Sequence, residues 1–220
     1  MTYSAPIPTE PGFWQAEILD ILFPQSPNSF TQFNQDAELL KQLPFVPGLK
    51  EILMTRQVHA LEHATVWVLT NMAAGRPRSP MAMNSESLGG LSTDRGFYLY
   101  GNAATVDISR AAQIALRRIT SGEWNLAVHP RCGTNLSVGM LLTAGLTMGV
   151  GLFLPKDPLS QLLSFGVAAT AAAHLTPELG AIAQRYITTA IPFNLAIANI
   201  NLQRDDVGRP AHFIEVVWVD

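Results

Sequence analysis

At 220 residues, with 48% hydrophobic and only 14% charged side chains, the chain can bury a core yet falls short of the charge content of soluble domains, roughly one quarter. That deficit directs it toward lipid or a large partner surface. A net charge of −3 argues against nucleic acid as a partner, and the single cysteine, Cys132, excludes an intrachain disulfide and suits a reducing compartment or a metal thiolate.

Residues 1–12 are proline-rich and polar, with neither a basic nor an apolar signal-peptide segment, and are expected to form an extended leader. Residues 13–23 predict a short apolar helix stopped by Pro24 and Pro27, residues 24–34 a loop, and residues 36–43 a helix ended by Pro44. Residues 1–47 are thus a leader with short helices. Pro47 suits the first turn of a longer helix over 48–74, with Gly75 as its stop. The upper part of that helix (Val66, Trp67, Val68, Leu69) is apolar on most sides, which predicts burial.

Within it lies His59-Ala60-Leu61-Glu62-His63. The two imidazoles are four positions apart, so they share a helix face, and Glu62 lies one turn along beside them. Two histidines at that spacing can hold one divalent ion, and the carboxylate can ligate it or act on a bound water, the logic of the inverted zincin motif. The bland alternative is a helix carrying two partly exposed histidines.

Residues 75–95, rich in Ser, Gly, Arg and Pro around Gly89-Gly90, read as a long loop without phosphate-binding context. Residues 97–100 predict a strand, and a helix capped by Thr105 or Asp107 runs to about Ile119. Residues 124–128 predict a second strand, so the order implies a small βαβ-type unit. The alternation of residues 213–219 predicts a C-terminal strand, with His212 solvated at its start.

Residues 136–154 carry no charge, and 19 residues suffice to cross about 30 Å of hydrocarbon. Small residues recur there (Gly139, Ala144, Gly145, Gly149, Gly151), as close helix packing requires. The turn Pro155-Lys156-Asp157-Pro158 leads into residues 159–175, again uncharged but more polar, with His174 at the helix interface. A transmembrane helical hairpin over 136–176 is expected, against the alternative of a buried hairpin in a soluble protein. Arg117, Arg118, Arg131 and Arg185 flank its open end, which puts the motif and both termini on the cytoplasmic side. The fold class expected is α+β, mainly helical with a small sheet. Its α+β domain spans residues 48–135 and 177–220.

Just before the hairpin stands His129-Pro130-Arg131-Cys132-Gly133-Thr134. Pro130 and Gly133 shape a turn that presents an imidazole and a thiol, both zinc-type donors, and Thr134 or Asn135 could cap the following helix. That helix N-terminus favours thiolate at Cys132. Alone, such a turn is more often structural. These two blocks, followed by Gln184-Arg185-Tyr186-Ile187-Thr188-Thr189 and an alanine-rich stretch to Ile200, resemble the YqhQ-like family of bacterial membrane proteins, described as metal-dependent enzymes without an established reaction. The resemblance implies a metal site built from both blocks at a membrane surface. Fewer apparent membrane helices, a long leader and the extra strand with His212 set this chain apart as a divergent branch.

The expectation is an integral membrane, zinc-dependent hydrolase, with another divalent metal possible. His59 and His63 hold the metal, Cys132 is the third ligand with His129 as its rival, Glu62 is the general base, and Arg131 binds an oxyanion or anionic group. The competing expectation is an assembly or scaffolding subunit of a larger membrane complex or homo-oligomer, with a structural metal site. A third is a haem or pigment held by His59, His63 or His174.

Overall fold

The computed structural model describes residues 35–74, 88–153 and 157–219. The leader, the helix expected over 13–23 and most of the loop after Gly75 lie outside the described residues. The architecture is α+β, mainly helical with a small antiparallel sheet. The chain divides into two compact units, one formed by Met1–Ala127 with Thr189–Asp220 and the other by Val128–Thr188. His129, Arg131 and Cys132 therefore belong to the helical unit.

In the first unit, α1 (Gln35–Gln42) precedes α2 (Leu49–Ala74), the motif helix. Nearly every side chain of α2 from Gln57 to Val66 is buried. The cause is its central position, with α3 (Thr105–Thr120), the turn at Trp124–Ala127 and strands β1 (Gly89–Thr93) and β2 (Gly96–Tyr100) all packing on it. Val58, Leu61, Phe97, Leu99, Ile108, Ile119, Leu126 and Ile214 form the fully buried heart of that core. Burial of such side chains contributes about 1.5–3 kcal/mol each.

The sheet order is β1-β2-β4-β3, with β3 at Leu195–Arg204 and β4 at Pro210–Trp218. Phe97 pairs with Ile214 and Leu99 with His212, so the β2–β4 seam carries the inner face. A register shift between Ile197 and Asn199 inserts an extra residue into β3 and returns Ile200 to the position opposite Ile214. Gly96 adopts φ +148, and a Cβ there would fall 2.0 Å from the Ile214 carbonyl oxygen, so β4 can approach this hairpin only over glycine.

Several sequence expectations are corrected here. Residues 124–127 form a single 3₁₀ turn, closed by Leu126 N–H donating to the Glu123 carbonyl, so the expected βαβ unit is not formed there; among the described residues every strand pairing is antiparallel. Strand β1 occupies the end of the expected loop, and β3 continues through the stretch read as alanine-rich. His212 lies inside β4, buried, with Nε2 2.9 Å from Thr105 Oγ1. Helix α3 begins at Thr105 behind Ala104, with no side-chain cap.

The second unit is two antiparallel helices, α4 (Gly133–Phe153) and α5 (Pro158–Ala183), followed by a π turn at Gln184–Thr188. Asp157 caps α5 by accepting the Ser160 N–H at 3.0 Å. The glycines of α4 let α5 approach: a Cβ at Gly139 would lie 3.1 Å from Thr176 Oγ1, and one at Gly151 3.4 Å from Gln161 Oε1. Among the described residues one helix, Gly133–Leu152, is long and apolar enough to cross a membrane, with mean hydropathy 1.4 and none of that window buried. Leu136, Met140, Leu141, Met148 and Leu152 are each at least 65% exposed.

Candidate metal centre

Helix α2 places His59 and His63 one turn apart, with ring centroids 4.4 Å apart and ring planes inclined at 61°. A ring nitrogen of each lies within 4.8 Å of the other, a separation that one metal ion can span. His63 is buried, and its Nδ1 lies 2.6 Å from the carbonyl oxygen of Ala127. Nδ1 must then carry the proton and donate, which leaves the lone pair on Nε2. Metal-ligating histidines are oriented and tautomerised by this kind of carbonyl contact. The 3₁₀ turn at Trp124–Ala127 is what brings that carbonyl to the helix.

Glu62 is 8% exposed and lies against β1. Its Oε2 accepts the Ser92 hydroxyl at 2.5 Å. Gly90 makes the approach possible, because a Cβ there would lie 2.0 Å from Glu62 Oε1. Burial raises the Glu62 carboxyl above its usual range, opposed by the Ser92 hydrogen bond and by the neighbouring His59. A carboxylate so placed is an abler proton acceptor than one in water.

The second unit presents the other block. Cys132 is buried and directly precedes α4; its Sγ accepts the Thr134 N–H at 3.3 Å. The cap of α4 is thus the cysteine itself, in place of the expected Thr134 or Asn135, and that contact with the positive helix end favours thiolate. His129 Nδ1 accepts the Arg131 N–H at 3.3 Å. Burial, with Arg131 nearby, lowers His129 to about 4, so it is neutral at physiological pH. Arg131 is exposed. The His129 N–H donates to Gln184 Oε1 at 2.8 Å, and Gln184 Nε2 donates to Asn135 Oδ1 at 2.7 Å.

Of the residues singled out by sequence, His59, Glu62 and His63 are brought together on α2, while His129, Arg131 and Cys132 share one turn of the helical unit. Sequence reasoning did not find Ser92 or the Ala127 carbonyl. Gly90, Asn135 and Gln184 stood out only in other roles, as part of a loop, as a possible helix cap and as the first residue of the third block.

The chain matches the family described as "Domain of unknown function (DUF6391)" over residues 54–200, and it belongs to that family. It is also 53% identical, over 189 residues, to an uncharacterised protein of Picosynechococcus sp. (strain PCC 7002), covering 86% of this chain and 92% of that one. No solved structure matches it.

Proposed function

We propose that this member of the DUF6391 family is a membrane-anchored, zinc-dependent hydrolase, in which His59, His63 and Cys132 are the metal ligands and Glu62 is the general base. The observation that carries this reading is the His59–His63 pair one helical turn apart, with the Ala127 carbonyl fixing the tautomer of His63 as carbonyls do for metal-ligating histidines. Two imidazoles and a thiolate are donors that zinc prefers, and another divalent ion could use the same set. Cys132 is favoured over His129 because the Nδ1 of His129 already accepts a backbone N–H. The metal would supply Lewis acidity and lower the pKa of water to about 7. Glu62 would take the proton of the attacking water, held in place by Ser92 and Gly90. Arg131, exposed beside the cysteine turn, could bind an anionic group of the substrate.

Anchoring is supported by the uncharged helix α4 and the exposed leucines and methionines along it, which water alone solvates poorly. The arginines flanking the pair favour a cytoplasmic placement of the site and of both termini. The likeness of the two blocks to YqhQ-like proteins belongs to the same reading.

The test uses the full-length protein purified in detergent. Metal content by mass spectrometry is expected at a single zinc per chain, lost in His59→Ala, His63→Ala and Cys132→Ser. Equal metal in the three variants and the parent, or none in the parent, would overturn the reading.

One observation favours a second reading, a structural metal site in an assembly subunit of a membrane complex or a homo-oligomer: the Glu62 carboxylate is largely enclosed by β1. Glu62→Gln separates the two. It abolishes the function of a hydrolase while sparing metal content, and leaves a scaffold's stoichiometric partner bound.

A further inference from the structure

The third sequence block enters no step above, yet its first residue is among the most completely enclosed polar groups of the helical unit. Gln184 opens the π turn and is 0% exposed. One side-chain amide can accept and donate at once. This one accepts the His129 N–H at 2.8 Å through Oε1 and donates to Asn135 Oδ1 at 2.7 Å through Nε2. Asn135 in turn donates from Nδ2 to the Pro130 carbonyl at 2.7 Å.

Both ends of the segment 129–135 are therefore tied to a single buried amide, and the segment's middle is Cys132. The neighbouring backbone is cut to fit: a Cβ at Gly180 would fall 2.1 Å from Asn135 Oδ1. Within the segment, Cys132 N–H donates to the His129 carbonyl at 3.2 Å, and Asn135 N–H to the Cys132 carbonyl at 3.0 Å. These local bonds close the turn but do not fix it to α5. The Gln184 amide does, beside a 3.2 Å contact between the hydroxyls of Thr134 and Thr188. π turns concentrate where a helix must present one residue out of its ordinary phase.

We propose that Gln184 is the positioning residue of the cysteine turn, holding the backbone at His129 and the first turn of α4 so that the Cys132 thiolate has one orientation. The inference rests on the metal reading for its purpose, but its physical content is a rigid turn, which exists with or without metal. Asn135 is the second link of the same clamp.

The test uses full-length, metal-free protein and three variants. Gln184→Met keeps the stem and length and removes both hydrogen bonds. Gln184→Glu keeps the acceptor for the His129 N–H, and Asn135→Ser removes only the outer link. Since Cys132 is the chain's one cysteine, iodoacetamide labelling reports on it alone. Hydrogen exchange over residues 128–135 reports on the backbone.

In Gln184→Met, labelling and exchange at this segment are expected to accelerate about tenfold or more, corresponding to loss of hydrogen bonds to an otherwise enclosed turn. Exchange along the rest of α4 stays as in the parent. Gln184→Glu recovers most of the protection at His129, a rescue that loss of bulk packing would not show. Asn135→Ser gives an intermediate rate and carries the test should Gln184→Met fail to fold. Parental labelling and exchange in Gln184→Met, or in Asn135→Ser if that variant carries the test, overturn the proposal. Zinc affinity by chelator competition then separates the two readings. A turn that loosens in variants of a parent that binds no zinc leaves the clamp standing and removes the metal. A parent that binds zinc, with a turn unmoved by Gln184→Met, does the reverse. With both readings right, Gln184→Met weakens zinc about ten- to a hundredfold.

Discussion

Replacing Gly90 with alanine sets a methyl group into space already taken by the Glu62 carboxylate. The added Cβ would lie 2.0 Å from Oε1, 2.3 Å from Cδ and 2.8 Å from Cγ, whereas ordinary contact begins at 3.4 Å, so the carboxylate has to retreat by roughly 1.4 Å. That movement breaks its 2.5 Å hydrogen bond from Ser92. Losing a hydrogen bond in an enclosed site costs about 1–3 kcal/mol, and overpacking about 1–3 kcal/mol more. A conservative total is about 3 kcal/mol, which lowers the unfolding midpoint of a chain this size by about 6–12 °C. The assay is thermal unfolding of four proteins: the parent, Gly90→Ala, Glu62→Ala and the double variant. With the carboxylate already gone, Gly90→Ala should cost less than about 0.5 kcal/mol, because the methyl then has room and a less flexible unfolded chain favours it. Equal cost in both backgrounds would show that the glycine serves the strand and not Glu62, and the account of how Glu62 is held would fail.

Three further outcomes are expected. Leu126→Ala opens a cavity in a site that is 0% exposed and costs about 2–5 kcal/mol by denaturant unfolding. It also frees the 3₁₀ turn that carries the Ala127 carbonyl, so any zinc bound as proposed should be held less tightly; unchanged stability would contradict the packing described. Gly96→Ala meets the Ile214 carbonyl at 2.0 Å from a φ of +148 and should cost about 3 kcal/mol or more, read as early proteolysis of the β1–β2 hairpin. Asp205 carries the pH dependence. Burial acts against its ionised form, but hydrogen bonds from Tyr100 and from the Arg209 backbone and side chain hold its carboxyl down to about 2. A depressed carboxyl stabilises the fold above the unfolded value of about 4, and that contribution is lost as pH falls from about 4 toward 2. The difference in midpoint between the parent and Asp205→Asn should therefore be full near neutral pH and vanish at the acid end; a constant difference would refute the assignment.

How much of this was legible in the sequence depends on whether the signal was local. Helix α2 was legible because no proline or glycine falls between Gly48 and Gly75 and its upper part is apolar, although it begins at Leu49 and leaves Pro47 ahead of its first turn; the histidine spacing says which side chains share a face. Helices α4 and α5 were legible as two uncharged runs parted by two prolines, although α5 continues eight residues past the expected end, through Pro177, which costs it a single backbone hydrogen bond. The misses are non-local. Trp124–Ala127 has strand-like residues, but among the described residues no strand pairs with it, and the Glu123 carbonyl closes a turn instead. Strand β1 reads as loop because its glycines and serine matter for what they leave open to Glu62. In β3 the extra residue breaks the alternation that marks a strand. At the candidate site, donor types and spacing were visible, while the groups that orient them were not: a main-chain carbonyl has no sequence signature, and Gln184 reaches the His129 N–H from 52 positions beyond Cys132.

The strand order has a consequence for biosynthesis. β2 is bordered by β1 and β4, and β4 lies more than a hundred positions further along the polypeptide. As the ribosome delivers the chain, α4 and α5 can pair with each other as soon as both have emerged, since their contacts are close in sequence. The histidine-bearing helix is at that stage covered by two of the four strands, and β2 still lacks its second partner. Closure of the core around Phe97, Leu99 and Ile214 is thereby deferred until the last strand docks, after the apolar pair has been made.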